Sequence, residues 1–151
     1  MTLLMDDTLG ILPKVMRKNY TFQGWYTQKS GGRKVDSSTV LNASATLYAQ
    51  WSEIAKPEKI KKLTLMSAKN RQLKVSFQKV TGAAGYQIVY SADKKFASAD
   101  TRKVNSVSDK QTFYKLKKGK KYYVKVRAYK TGSMNEKIYG SYCKVKSIII
   151  K

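Results

Sequence analysis

The chain contains no histidine and a single cysteine, Cys143, so no disulfide can close within it and no Cys/His zinc cluster can be assembled. Acidic residues are nearly as scarce. Glutamate occurs only at Glu53, Glu58 and Glu136, and aspartate at six scattered positions. None is set with a serine, a lysine or a second carboxylate in a catalytic pattern, so no catalytic, metal-binding or cofactor-binding residues are expected. Cys143 lacks the histidine that activates a cysteine nucleophile and reads instead as a small buried residue on a strand. Long apolar runs are missing too. No stretch approaches the roughly 18 residues of a spanning helix. Asp6 and Asp7 follow a short "TLLM", so a charged leader with a long apolar segment is not expected either.

What the chain has in excess is positive charge: 31 Lys and Arg against 9 Asp and Glu, for a net +22 over 151 residues. The distribution is uneven. Residues 1–52 carry six basic and three acidic side chains, and the remainder carries 25 and 6. The change coincides with "SEIAKPEKIKK", where Pro57 sits amid charge, and a linker is expected at 53–60 between a domain at 1–52 and another at 61–151. Its shortness and Pro57 favour a semi-rigid connection, with Ile54, Ala55 and Ile60 as the residues that could dock one domain on the other.

In the first half, "YTF" alternates aromatic and polar residues, Gly24 interrupts, and Trp25 follows on the opposite parity. A strand with a bulge at the glycine would keep its large rings on one face that way. "ATLYAQW" alternates again, with Leu47, Ala49 and Trp51 on one side and Tyr48 and Gln50 on the other, so the two strands can pair. Val40 and Leu41 are further apolar plugs. With some fifty residues, a core needs its Trp and Phe side chains. Tyr20, Phe22 and Trp25 are therefore expected in the core rather than in a recognition stripe, and Tyr26 and Tyr48 are the expected exposed exceptions.

"LPKVMRKNYTFQGWYTQKSGGRKVDSSTVLNASATLYAQW", residues 12–51, closely resembles the Listeria-Bacteroides (internalin B-type) repeat of bacterial surface proteins, with its LP, GYTF-x-GWY, GG and TLYAQW elements. Asn19 stands where that pattern has glycine, and the repeat's first strand is missing ahead of Met1. The resemblance implies a small β-grasp-like unit of secreted or wall-attached proteins, N-terminally truncated. Thr2 to Met5 would then be its second strand, with an exposed edge that could pair two copies weakly.

The second half alternates with period two in "RQLKVSFQKV", "GYQIVYS" and "KKYYVKVRAYK", placing Leu73, Val75 and Phe77, then Tyr86, Ile88 and Tyr90, then Tyr122, Val124, Val126 and Ala128 inward. Turn signals at Gly82–Gly85, Lys117–Gly119 and Gly132 separate these strands, and "SYCKVKSIIIK" supplies the last. About seven strands over some ninety residues read as an antiparallel sandwich. "LKKGKKYYVKVRAY" resembles the L-x-x-G-x-x-Y-x-V-x-V-x-A segment of bacterial fibronectin type III domains. That resemblance puts Tyr122 at the tyrosine corner and Phe77 where the family has a strand B tryptophan, and implies a spacer or adhesion module without catalysis. The fold class expected overall is mainly β: a β-grasp-like repeat followed by a seven-stranded fibronectin type III sandwich.

If Tyr122, Val124 and Val126 point inward, Tyr123, Lys125, Arg127 and Tyr129 point outward, and Tyr142, Lys144 and Lys146 join them if Cys143 and Val145 face the core. Tyrosine rings would suit sugars or bases, and Lys and Arg would suit phosphate or carboxylate. The same face also reads as a solvated surface whose lysine stems cover the rings. The basic run 115–121 lies at a turn, where lysine and glycine collect anyway. As a field source it favours polyanions in a salt-dependent way. Partners expected are anionic glycans, wall polymers or host surface proteins. Specific nucleic acid is not expected, since no recognition signature for it occurs. Three readings stay open: spacer and adhesion modules of an extracellular or wall-attached protein, a dedicated polyanion-binding module, and accessory domains of an exported carbohydrate- or wall-active enzyme.

Overall fold

The computed structural model describes residues 2–3, 9–40 and 43–151. Among them the structure is all-β: every regular element is a strand, and every pairing is antiparallel. No helix among the described residues is long and apolar enough to cross a membrane. The chain forms two compact units, one of Met1–Ala55 with Gly132–Glu136, the other of Lys56–Thr131 with Lys137–Lys151.

In the first unit, β1 (Thr2–Leu3) pairs with β4 (Ala45–Thr46), and β2 (Tyr20–Tyr26) lies between β3 (Lys34–Val35) and β5 (Tyr48–Glu53). The expected bulge is present. The β2–β5 register shifts between Phe22 and Gly24, and Gly24 has φ 131°, a conformation that glycine reaches without penalty. The shift brings Phe22 and Trp25 to one face, their ring centroids 5.9 Å apart, with Trp51 5.3 Å from Phe22. Trp25, Val35, Leu47 and Leu9 form the buried core, and the Trp25 indole donates to the Pro13 carbonyl at 3.0 Å. Tyr26 and Tyr48 are opposite each other and half-buried. Val40 is not a plug: its side chain is 57% exposed. The preceding turn is closed by the Asp36 carboxylate, which accepts from the Ser38 amide and the Ser38 and Thr39 hydroxyls, and Val35 fills the core ahead of it. Leu4, Met5 and Leu41 lie outside the described residues.

The second unit is a two-sheet sandwich. One sheet is ordered β10 (Lys110–Phe113), β7 (Leu73–Ser76), β6 (Thr64–Met66). The other runs from β9 (Arg102–Ser106) through β8 (Gly85–Ser91) to β11 (Lys121–Thr131), whose far side pairs with both β12 (Lys137–Tyr139) and β13 (Lys146–Ile149). Eight segments stand where about seven strands are expected: β12 lies ahead of the expected last strand, 141–151, of which Lys146–Ile149 forms. Leu73, Val75, Phe77, Ile88, Val124, Val126 and Ala128 meet in the core as their alternation predicts. Phe77 packs edge-on to Tyr86 at 4.7 Å, and Ile60 joins the same core. The Tyr122 hydroxyl accepts from the Lys117 amide at 3.4 Å, which is the tyrosine corner. Two expectations fail. β8 is not half-buried: Gln87, Val89 and Ser91 are covered as well, while Tyr90 packs against the core from a partly exposed position. Residues 141–145 form no strand: the Gly140 and Cys143 amides still donate to the Ala128 and Val126 carbonyls of β11, at 3.0 and 2.8 Å, and Cys143 is buried, but regular pairing resumes only at Lys146 and Val145 is 41% exposed.

Candidate functional site

Strand β11 carries four of the expected face residues on its outer side. Lys125 and Arg127 are half-buried at its middle, and Tyr123 is half-buried nearer its start. Tyr129 does not join them as an exposed ring. It is 9% exposed, because Tyr139 on β12 crosses it at 5.7 Å and its hydroxyl lies over Gly85, only 2.5 Å from where a side-chain carbon there would sit. Lys144 is exposed on the break. Lys146 is exposed as well but belongs to the other face. It pairs with Val124, a core residue, and directly paired residues project to the same side of a sheet. The six-residue interruption resets the parity that a continuous strand would have kept.

What the outer face assembles is a stack of alternating rings and cations. The Lys125 ammonium lies 4.2 Å from the Phe96 ring centroid and 4.6 Å from that of Tyr142. Next comes the Arg127 guanidinium, 4.5 Å from Tyr142 and 3.8 Å from Tyr139. Tyr139 meets Tyr129, whose other neighbour is the Lys137 ammonium at 5.4 Å. Gln87, directly opposite Arg127 on β8, is the hub. Its carbonyl oxygen accepts from Arg127 Nε at 3.0 Å, from Arg127 Nη2 at 2.7 Å and from the Tyr142 hydroxyl at 2.8 Å. Burial pushes the Tyr142 phenol up, against a smaller lowering by Arg127, so the ring stays a neutral donor through the physiological range.

The sequence placed Lys125, Arg127 and Tyr142 in this stack and missed Gln87, Phe96, Tyr139 and Lys137. Alternation along β8 would have found Gln87, since it lies on the opposite parity from Tyr86 and Ile88. Phe96 is in a loop, at φ 57°, where no periodicity operates. Cys143 takes no part in the stack. Its sulfur accepts from the Val126 amide at 3.2 Å on the core side, and burial pushes the thiol up. Each cation–ring contact is worth about 0.5–1 kcal/mol at such partly exposed positions, so the stack rigidifies the face while leaving its charge unneutralised. The exposed Lys61–Glu58 salt bridge, at 3.9 Å, takes no part in the stack.

Residues 2–50 match the family model of the Listeria-Bacteroides repeat domain. The second unit has its likeness among solved structures. Over 72% of this chain and 36% of that one, the FN1–FN3 domains of chicken CNTN1 superpose with a TM-score of 0.54 at 22% identity. A Fn3-like protein from Clostridium thermocellum gives 0.51 at 16% identity over 64% of this chain and 96% of its own. The chain joins a segment that matches the Listeria-Bacteroides repeat to a unit with the fibronectin type III fold. Against the three-domain chicken structure, the chain spans about a third of the length. Among curated proteins none matches the chain. In the fibronectin type III unit, the ring-and-cation stack lies on the sheet formed by β9, β8, β11, β12 and β13. Repeats and folds of these two kinds are typical of surface and extracellular modules.

Proposed function

We propose that the chain is a non-catalytic pair of modules from a bacterial cell-surface or secreted protein, serving as spacer and as adhesion units that meet glycans, wall polymers or host surface proteins. The observation that carries this reading is the outer face of the fibronectin type III unit. There Lys125 and Arg127 are each held between two aromatic rings, with no carboxylate in the stack. Cations fixed in this way have already lost their side-chain freedom, so an acidic partner binds without the ordering cost that a mobile lysine imposes. The rings beside them present apolar surface of the kind sugars pack on.

A dedicated polyanion-binding module is the second reading, favoured by the 25 basic residues among positions 53–151. Counterion release separates the two. Binding of the purified chain is measured on an array of anionic and neutral glycans, with nucleic acid as the control, at low and at physiological salt. The adhesion reading expects selective binding that persists at the higher salt and weakens in Arg127→Ala. Binding to every polyanion that vanishes with salt would remove the specific site and leave the spacer role.

A further inference from the structure

A second place in the fibronectin type III unit has the chemistry of a ligand site, at the end of the sandwich where β8 runs out, β9 begins and residues 114–120 connect β10 to β11. A cleft of about 240 Å³ opens there. Its aromatic lining is Tyr90, Tyr114 and Tyr122, and its cations are Arg102, Lys115, Lys117 and Lys120. None of these residues belongs to the stack on the outer face. Tyr90 is fixed against Phe113 at 4.3 Å, and Tyr122 is fixed by the tyrosine corner, whereas Tyr114 is 62% exposed and stands as a ring with one side open to solvent.

The loop that carries the lysines is pinned rather than loose. The Leu116 amide donates to the Arg71 carbonyl at 3.1 Å, and Arg71 Nε returns a bond to the Leu116 carbonyl at 2.7 Å. Gly119, at φ 74°, donates to the Ile150 carbonyl at 2.8 Å. Lys115 itself takes φ 59°, a left-handed conformation that costs a non-glycine residue about 1 kcal/mol or more, and these bonds hold it there. Arg102 is steadied by its bond to the Ala99 carbonyl at 3.0 Å. Four positive charges are thus brought to one small opening by backbone that does not need to reorganise.

We propose that this cleft binds one ring of an acidic polysaccharide, a sugar bearing a carboxylate or a sulfate. The volume suits a single ring, below the roughly 300–1,000 Å³ of sites for drug-sized ligands. Tyrosine offers a flat face to the ring, and Arg and Lys offer charge-assisted hydrogen bonds to the anionic group. Asp100 decides between a sugar and a bare anion. It is the one carboxylate in the lining, and it accepts hydrogen bonds from sugar hydroxyls, donors that the interior phosphates of polyphosphate do not carry. The cleft takes the origin of its ligand, a cell surface, from the reading above, while its own chemistry stands on these residues.

The test is calorimetric titration of the full chain at physiological salt with four probes of similar length: a uronic acid oligosaccharide, a sulfated oligosaccharide, a neutral oligosaccharide and polyphosphate. At least one acidic oligosaccharide is expected to saturate, with the neutral probe and polyphosphate weaker by about tenfold or more, and the tighter of the two acidic probes names the anionic group. Tyr114→Ala, which removes an exposed ring and no charge, is expected to weaken the acidic sugar about tenfold. The pair Lys117→Ala/Lys120→Ala should do the same, whereas Lys56→Ala/Lys59→Ala, in a separate cleft, loses equal charge and should change affinity by no more than about twofold. Equal binding of polyphosphate, equal loss in the two lysine pairs, or no saturation by any probe would overturn the proposal. Loss in Arg127→Ala with Tyr114→Ala silent would also overturn it, and would place the ligand on the outer face, leaving the adhesion reading intact.

Discussion

The two units solve the same problem, an all-β fold without a disulfide within the chain, with very different amounts of apolar material. The repeat unit buries Leu9, Trp25, Val35 and Leu47, with Leu12, Val15, Phe22, Ala45 and Ala49 packed around them. The fibronectin type III unit buries fifteen apolar residues in one cluster, from Ile60 to Ile150. Small cores depend on their largest side chain, since a Trp or Phe buries on the order of 150–250 Å² and nothing nearby can replace it. In the larger core, the loss of any one residue is shared among many neighbours. The repeat should therefore be the weaker unit, held by a few rings, and the sandwich the stronger one.

The chain carries its own reporters for that comparison. Both tryptophans, Trp25 and Trp51, are in the repeat, and the one cysteine is in the sandwich. In denaturant titration, tryptophan emission should change at lower urea than the far-ultraviolet circular dichroism change of the sandwich; coincident transitions would break the comparison. Trp25→Ala should have the largest effect, about 3–5 kcal/mol, enough to abolish the tryptophan transition while the sandwich transition stays in place. A smaller effect is expected of Tyr122→Phe. It removes the hydroxyl that accepts from the Lys117 amide and should lower the sandwich midpoint by about 0.5–1.5 kcal/mol, leaving tryptophan emission unmoved. Cys143 gives the smallest and sharpest reading. Burial raises its pKa, so at pH 8 its thiolate fraction is below that of an exposed cysteine. Alkylation should be slow at urea concentrations where the tryptophan transition is already complete, and fast only once the sandwich opens. Fast alkylation of the native chain would show that residues 141–145 open without the rest.

Much of the architecture was legible because alternation is a local property. One face of β7 and of β11 must be apolar for the sandwich to close, and Leu73, Val75, Val124 and Val126 announce it; Gly24 announces the bulge by the parity change on either side of it. The unreadable parts depend on what covers the other face. Nothing in "GYQIVYS" says that β8 is flanked on both sides and covered on its outer surface by the stack around Gln87. Tyr129 looks like any outward residue until Tyr139 folds across it. The irregular stretch 140–145 reversed the parity of the last strand, moving Lys146 off the face where Lys125 and Arg127 lie. Half of the stack was therefore visible as residue types; alternation puts its hub, Gln87, on the outer face, and the β8–β11 register sets it against Arg127.

That interrupted last strand also governs how the module behaves among copies of itself. Along this margin of the sheet, three paired residues of β12 are followed by the stretch 140–145, which forms no strand and bonds to β11 through the Gly140 and Cys143 amides, and then by four paired residues of β13. A neighbouring chain looking for a straight row of amide and carbonyl groups finds the row cut in its middle and guarded by Lys144 and Lys146. Breaks and lysines of this kind are how β proteins keep their sheets from growing into one another. At high local concentration, the broken margin refuses its own kind while the faces of the sandwich stay open.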